Sequence, residues 1–144
     1  MKTTDPPIIV EQVFNRSAAV VWQAITNVDQ MTQWFFKDIP DYIPKVGFKT
    51  QFNLQTPNRD FLHLWTITEV IPLQKIVCNW KYKDYAGDSY VTFELFESQD
   101  QTKLVLTTTV TEDFDDSIEE FKYESGLVGW NYFIKESLKY FLIH

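Results

Sequence analysis

Apolar and polar residues alternate through five runs in the middle of the chain, the period of two that gives a strand one buried face. In the first run Phe48, Phe52 and Leu54 alternate with Lys49, Gln51 and Asn53, and Pro57-Asn58-Arg59-Asp60 then turns the chain. In the second, Phe61, His63, Trp65, Ile67 and Glu69 share one parity until Pro72 stops the run. Ile76, Cys78, Trp80 and Tyr82 mark the third, Val91, Phe93 and Leu95 the fourth, and Leu104, Leu106, Thr108 and Val110 the fifth. Short connections between consecutive runs predict an antiparallel meander. The β-branched stretch 8–14 adds one strand at the start.

Three stretches carry a helical period instead. Asn15-Arg16-Ser17 supplies turn and cap residues before 18–26, where Val21, Trp22 and Ile25 share a face. Asp29 is a candidate cap for a short helix over 30–36, followed by an irregular connection with Pro40 and Pro44 that ends at Gly47. The third stretch, 117–141, opens on the capping box Ser117-Ile118-Glu119-Glu120. At about 100° per residue, Tyr123, Leu127, Trp130, Ile134, Leu138 and Phe141 fall on one side of it. Gly126 and Ser137 sit close to the centre of that stripe, where small side chains widen a gap. The order is β-α-α-β-β-β-β-β-α, an α+β fold in which one long helix lies on a curved antiparallel sheet.

Composition sharpens this picture. Twelve Phe, seven Tyr and five Trp make 17% of the 144 residues aromatic, many large flat side chains for one small domain, which read either as the filling of a β-rich core or as surface that in part lines a cavity. A net charge of -7 argues against nucleic acid and against an anionic membrane surface. A single cysteine, Cys78, rules out an intrachain disulfide and fits a reducing cytoplasm. Residues 1–7, polar with two prolines, read as a flexible tail with neither a signal peptide nor a membrane-inserting segment, leaving 8–144 as one domain.

Catalytic and metal chemistry find little support. His63 and the terminal His144 are the two imidazoles. His63 has inward parity and is the candidate general base, whereas Glu69 lies about 20 Å further along an extended strand, too far for a dyad. Cys78 reads as inert packing. Asp113, Asp115, Ser117, Glu119 and Glu124 take the spacing of a calcium loop, but Ile118 stands where its sharp turn requires glycine. No metal site and no cofactor are expected.

One group of motifs carries a family resemblance. The segment 15–26 resembles the opening helix of the START-like SRPBCC proteins. Gln33-Trp34-Phe35, Val46-Gly47, Glu69-Val70-Ile71-Pro72, Asn79-Trp80, Thr102-Lys103-Leu104, Gly129-Trp130 and Leu138-Lys139 resemble, in order and spacing, the domain named after the C-terminal part of the activator of the heat-shock protein 90 ATPase. The resemblance spans 8–141 and implies the helix-grip fold, whose members bind lipids, hormones or polyketides, catalyse cyclisation, or act with chaperones. Phe48 replaces a glycine common after Gly47, and the eukaryotic activators' separate N-terminal domain has no counterpart here, so no stimulation of the chaperone by this chain alone is expected.

The expectation is a non-catalytic protein that binds a small hydrophobic or aromatic ligand between sheet and helix. The expected ligand-binding residues are Phe52, His63, Trp65, Ile67, Trp80, Phe93, Tyr123, Trp130, Ile134 and Ser137. A chaperone-associated interaction module, or a cyclase- or hydrolase-like enzyme using His63, is the alternative.

Overall fold

The computed structural model describes residues 1–143; His144, the second imidazole, lies outside them. Its strands are β1 (Ile8–Phe14), β2 (Lys49–Gln55), β3 (Asp60–Ile71), β4 (Lys75–Tyr82), β5 (Asp88–Ser98) and β6 (Gln101–Glu112). They form one open antiparallel sheet in the order β1-β6-β5-β4-β3-β2, a meander extended at its β6 edge by the first strand. The alternation seen in the sequence becomes rows of side chains across the buried face. Phe52, His63 and Tyr82 are successive cross-strand partners on β2, β3 and β4, and Thr50, Trp65, Trp80 and Ser89 form the next row, reaching β5. A bulge between Ile67 and Glu69 breaks the parity of β3. Glu69 therefore does not follow Ile67 inward as the alternation suggests; it sits beside Lys75 at 3.5 Å, half-exposed, while Val70 packs on the core.

Two short helices follow β1. In α1 (Ala18–Thr26) the Ser17 hydroxyl accepts from the Val20 amide at 3.3 Å, the expected cap. For α2 (Val28–Trp34) the cap is Asn27 rather than Asp29: its side-chain oxygen accepts from the Gln30 amide, and its extended backbone ends α1 as well. The chain leaves α2 at Phe35, two residues short of the expected end, with φ −105° and ψ −126°. That exit swings Phe35 and Phe36 beneath the sheet.

The C-terminal helix comprises α3 (Tyr123–Asn131), a π-helical stretch (Tyr132–Leu138) and α4 (Lys139–Ile143). It does not begin at Ser117. The Ser117 hydroxyl donates to Asp115 at 2.6 Å instead, a 3-10 turn forms over Glu119–Phe121, and Lys122 caps α3 in an extended conformation. The cause is tertiary: Ile118 and Phe121 are drawn into a second apolar cluster with Phe61 and Phe114, which a helix from Ser117 would pull apart.

Further on, Leu142 is buried and Phe141 only half-buried, the reverse of the 100° projection. In a continuous α-helix Leu142 would lie about 120° from Trp130. Bonding from i to i+5 holds more residues per turn, so four-residue steps through Trp130, Ile134, Leu138 and Leu142 stay on the sheet side. The end of the helix is tied down by Arg16, whose Nε donates to the Leu142 carbonyl at 2.8 Å.

Residues 1–7, loose by composition, are held on the same side of the molecule. The Phe114 amide donates to the Met1 carbonyl at 2.8 Å, the Met1 amine donates to the Phe121 carbonyl, and the Thr3 amide donates to Asp113 at 2.7 Å. Phe114 also explains Gly87, which has φ +117° and where a Cβ would come within 2.3 Å of the Phe114 ring.

Candidate functional site

The space between sheet and helix is occupied at its centre by the two rings delivered from the end of α2. Phe35 stacks on Trp34 (centroids 4.8 Å, 13°) and meets Phe133 edge-on at 4.8 Å. Phe36 lies 5.0 Å from His63, 5.2 Å from Phe52 and 5.1 Å from Phe133. What remains open is a cavity of about 310 Å3 between the β2–β4 side of the sheet and the start of the C-terminal helix. Phe36, Phe61, His63, Trp80 and Tyr82 form its sheet-side wall, and Phe121, Trp130 and Phe133 face them. Gly126 and Gly129 let the helix backbone form part of the lining, and Leu54, Thr56, Glu120 and Ser125 complete it.

Of the ten residues expected to bind ligand, His63, Trp80 and Trp130 line this cavity. Phe52 and Trp65 stand behind them: Phe52 stacks on His63 at 4.6 Å and 16°, and Trp65 packs on Trp80 at 4.9 Å. Ile67, Phe93 and Ile134 are buried in the main core and do not line this cavity. Two residues are elsewhere. Tyr123 packs beside Met1 and Ile8 at the β1 edge, and the Ser137 hydroxyl donates to the Trp34 carbonyl at 2.5 Å in an outer groove shared with Gln33 and Tyr140. Ser137 lies on the α2 side because the π-helical stretch turns it away from the stripe calculated for an α-helix. Gly126 widens nothing toward the core, since a Cβ there would touch Ile8 Cδ1 at 3.0 Å. The residues that the sequence reading missed are mainly Phe36, Phe61, Phe121 and Phe133; three consecutive aromatics at 34–36, too many for one helical stripe, were the available signal for Phe36.

Thr56, His63, Tyr82, Glu120 and Ser125 are the polar side chains of this lining, and His63 and Tyr82 are the two set in its aromatic wall. His63 is 2% exposed, and its Nδ1–H donates to the Phe61 carbonyl at 3.0 Å, because a carbonyl oxygen only accepts. Burial lowers its pKa to about 4 against the opposing pull of that hydrogen bond, so at neutral pH the ring is uncharged and Nε2 carries a lone pair. Tyr82 accepts from Trp80 Nε1–H at 2.8 Å, and burial pushes its phenol up to about 12. Its own hydroxyl proton has no acceptor among the described residues.

Chemistry has poor footing here. A base with a pKa near 4 takes few protons at pH 7, and no carboxylate hydrogen-bonds to His63 among the described residues. The Cys78 thiol is buried, pushed up to about 12, and donates to the Asn79 carbonyl. The acidic turn 113–117 is bound internally, Asp113 accepting from Thr3 and Asp115 from Ser117. Among the described residues no three of His, Cys, Asp and Glu stand together as a metal site would require, and no helix is long and apolar enough to cross a membrane.

A curved antiparallel sheet gripping a C-terminal helix, with a cavity between them, defines the helix-grip fold of the START-like SRPBCC class. Residues 15–142 match the family described as activator of Hsp90 ATPase homolog 1-like protein, and the chain belongs to that family. Among solved structures it is similar to DynU16, a protein of the dynemicin biosynthetic locus (TM-score 0.76, 17% identity), covering 96% of this chain but 48% of that one, so the chain spans about half the length of that relative. It is also similar to Mll3558 from Rhizobium loti (TM-score 0.77, 17% identity, 94% and 96% covered) and to CalU16 from Micromonospora echinospora (TM-score 0.69, 23% identity, 94% and 75% covered). No curated protein sequence matches the chain. At these identities the likeness concerns the fold.

Proposed function

We propose that this protein binds a small, flat, apolar molecule in the cavity between β2–β4 and the start of the C-terminal helix, and that it does so without chemistry, in the cytoplasm. The observation that carries the reading is an aromatic-lined volume of about 310 Å3 bordered by Gly129, where a Cβ would meet nothing within 4 Å. It is large enough for a two- or three-ring ligand, at the lower end of ligand pockets in general. The occurrence of a protein of this fold in a biosynthetic locus is consistent with a small-molecule role. At about 25 cal/mol per Å2 of apolar surface buried, minus the cost of association, a two-ring ligand should bind with a Kd on the order of 100 μM.

Gly129 tests the proposal. It lines the cavity, and a Cβ built on it meets nothing within 4 Å, so the side chain of Gly129→Leu should start without a clash and occupy the space. Fatty acids, flavonoids and polyketide-like aromatics are titrated against tryptophan emission, since Trp80 and Trp130 flank the site. Saturable quenching by one class, lost in Gly129→Leu while the melting temperature holds or rises, is the expected outcome. The absence of any saturable change in the native protein sinks the proposal.

A further inference from the structure

The polar atoms of the cavity narrow the ligand, resting on the reading above that the cavity is a binding site. His63 and Tyr82 are cross-strand partners with ring centroids 4.7 Å apart, and both line the open volume. Each is held by one internal bond that leaves one complementary function unspent. The Phe61 carbonyl fixes the His63 tautomer with the proton on Nδ1, so Nε2 can only accept. The Trp80 indole N–H occupies a lone pair of the Tyr82 oxygen, so the phenol proton is available to donate. An acceptor and a donor side by side in an aromatic wall suit a hydroxyl, which can donate a hydrogen bond to one and accept a hydrogen bond from the other through a single atom.

Charge points the same way. Of the side chains lining the cavity only Glu120 is charged, and no lysine or arginine is among them. A carboxylate ligand would meet the Nε2 lone pair and the Glu120 carboxylate with no cation to offset either. We propose that the ligand is an uncharged aromatic bearing a hydroxyl group, which donates to His63 Nε2 and accepts from the Tyr82 hydroxyl. The protonation states support the pairing: burial keeps His63 neutral and Tyr82 protonated at neutral pH.

Four probes that share one ring system decide it by calorimetry at pH 7 on the native protein. Naphthalene supplies the ring alone, 2-naphthol the hydroxyl, 2-methoxynaphthalene an acceptor without a donor, and 2-naphthoate the anion. The expected order places 2-naphthol at least tenfold tighter than naphthalene, 2-methoxynaphthalene no more than a few-fold tighter than naphthalene, and 2-naphthoate weakest. In His63→Phe, which keeps a ring against Phe52, 2-naphthol should fall to about the affinity of 2-methoxynaphthalene; if that variant does not fold, the ligand series on the native protein stands as the test. Equal binding of naphthalene and 2-naphthol overturns the hydroxyl assignment and leaves the cavity reading intact, as does tightest binding by 2-naphthoate. Binding of none of the four, at concentrations to their solubility limit, overturns both.

Discussion

The burial of His63 should be measurable as a loss of stability in mild acid. In the folded protein its pKa is about 4 and in the unfolded chain 6.5, so at pH 7 both states hold the ring neutral and nothing is at stake. As the pH falls below 6.5 the unfolded chain takes up a proton that the folded one refuses, and stability drops by about 1.4 kcal/mol per pH unit. The loss levels off once the folded ring protonates, near pH 4. At pH 4.5 the linkage amounts to about 2.5 kcal/mol, a substantial part of the stability of a small domain.

Other groups perturb this window little. Asp113 and Asp115 are also held below their usual value, mainly by hydrogen bonds from Thr3 and Ser117, but a depressed carboxylate loses its contribution only below the unfolded value of 3.8. His144 is present in both proteins of the comparison and cancels. The assay is urea unfolding followed by tryptophan emission at pH 7.0, 6.0, 5.0 and 4.5, for the native chain and for His63→Phe. The variant leaves the Phe61 carbonyl without its partner and starts less stable at pH 7, but its profile should be flatter by about 2.5 kcal/mol between the extremes. Parallel profiles, differing by less than about 0.5 kcal/mol over the range, would show that the imidazole reaches water or is protonated in the folded protein.

Three further outcomes are expected. Trp130, 8% exposed and packed on Trp80 at 5.5 Å and Phe35 at 5.7 Å, should cost about 3 kcal/mol when replaced by Ala, the lower end for a buried aromatic because one side of the ring already borders the cavity; an unchanged denaturant midpoint would contradict that packing. Cys78 should fail to react with a disulfide reagent at pH 8 in the native protein and react fully in urea, and fast labelling of the folded chain would mean that the thiol is accessible. The chain alone should not stimulate the ATPase of heat-shock protein 90; saturable stimulation in a coupled assay would move the family's chaperone role ahead of small-molecule binding.

Much of the architecture was legible because alternation is a local property. Trp65, Ile67, Cys78 and Trp80 face inward as their parity requires, and the strand pairing follows from turns of few residues. Parity failed at Glu69, where the bulge after Ile67 inserts a residue that no neighbouring side chain announces. The candidate site was legible in part. His63, Trp80 and Trp130 could be assigned from strand parity and a helical stripe, but which inward residues border a void depends on what fills the rest. Phe35 and Phe36 decide that, and their entry follows from where α2 stops. The acidic start of the long helix misled for a similar reason: the capping signal at Ser117 is locally sound, yet burial of Ile118 and Phe121 against Phe61 outweighs about 1 kcal/mol of cap.

The π-helical stretch 132–138 also sets how the end of the chain tolerates changes in length. In a regular α-helix, removing one residue rotates everything after it by about 100° and turns the buried stripe to solvent. Here the wide turns already hold surplus length. With one exposed residue deleted, Lys135 for example, eleven steps of about 100° would separate Trp130 from the present Leu142, leaving them about 20° apart and both facing the sheet without any π geometry. Deletion of a single exposed residue between 132 and 138 should therefore be accepted with a return to α-helix, while an insertion there should misalign Leu138 and Leu142 with Trp130. Register in this helix is a matter of residue count as much as of residue type.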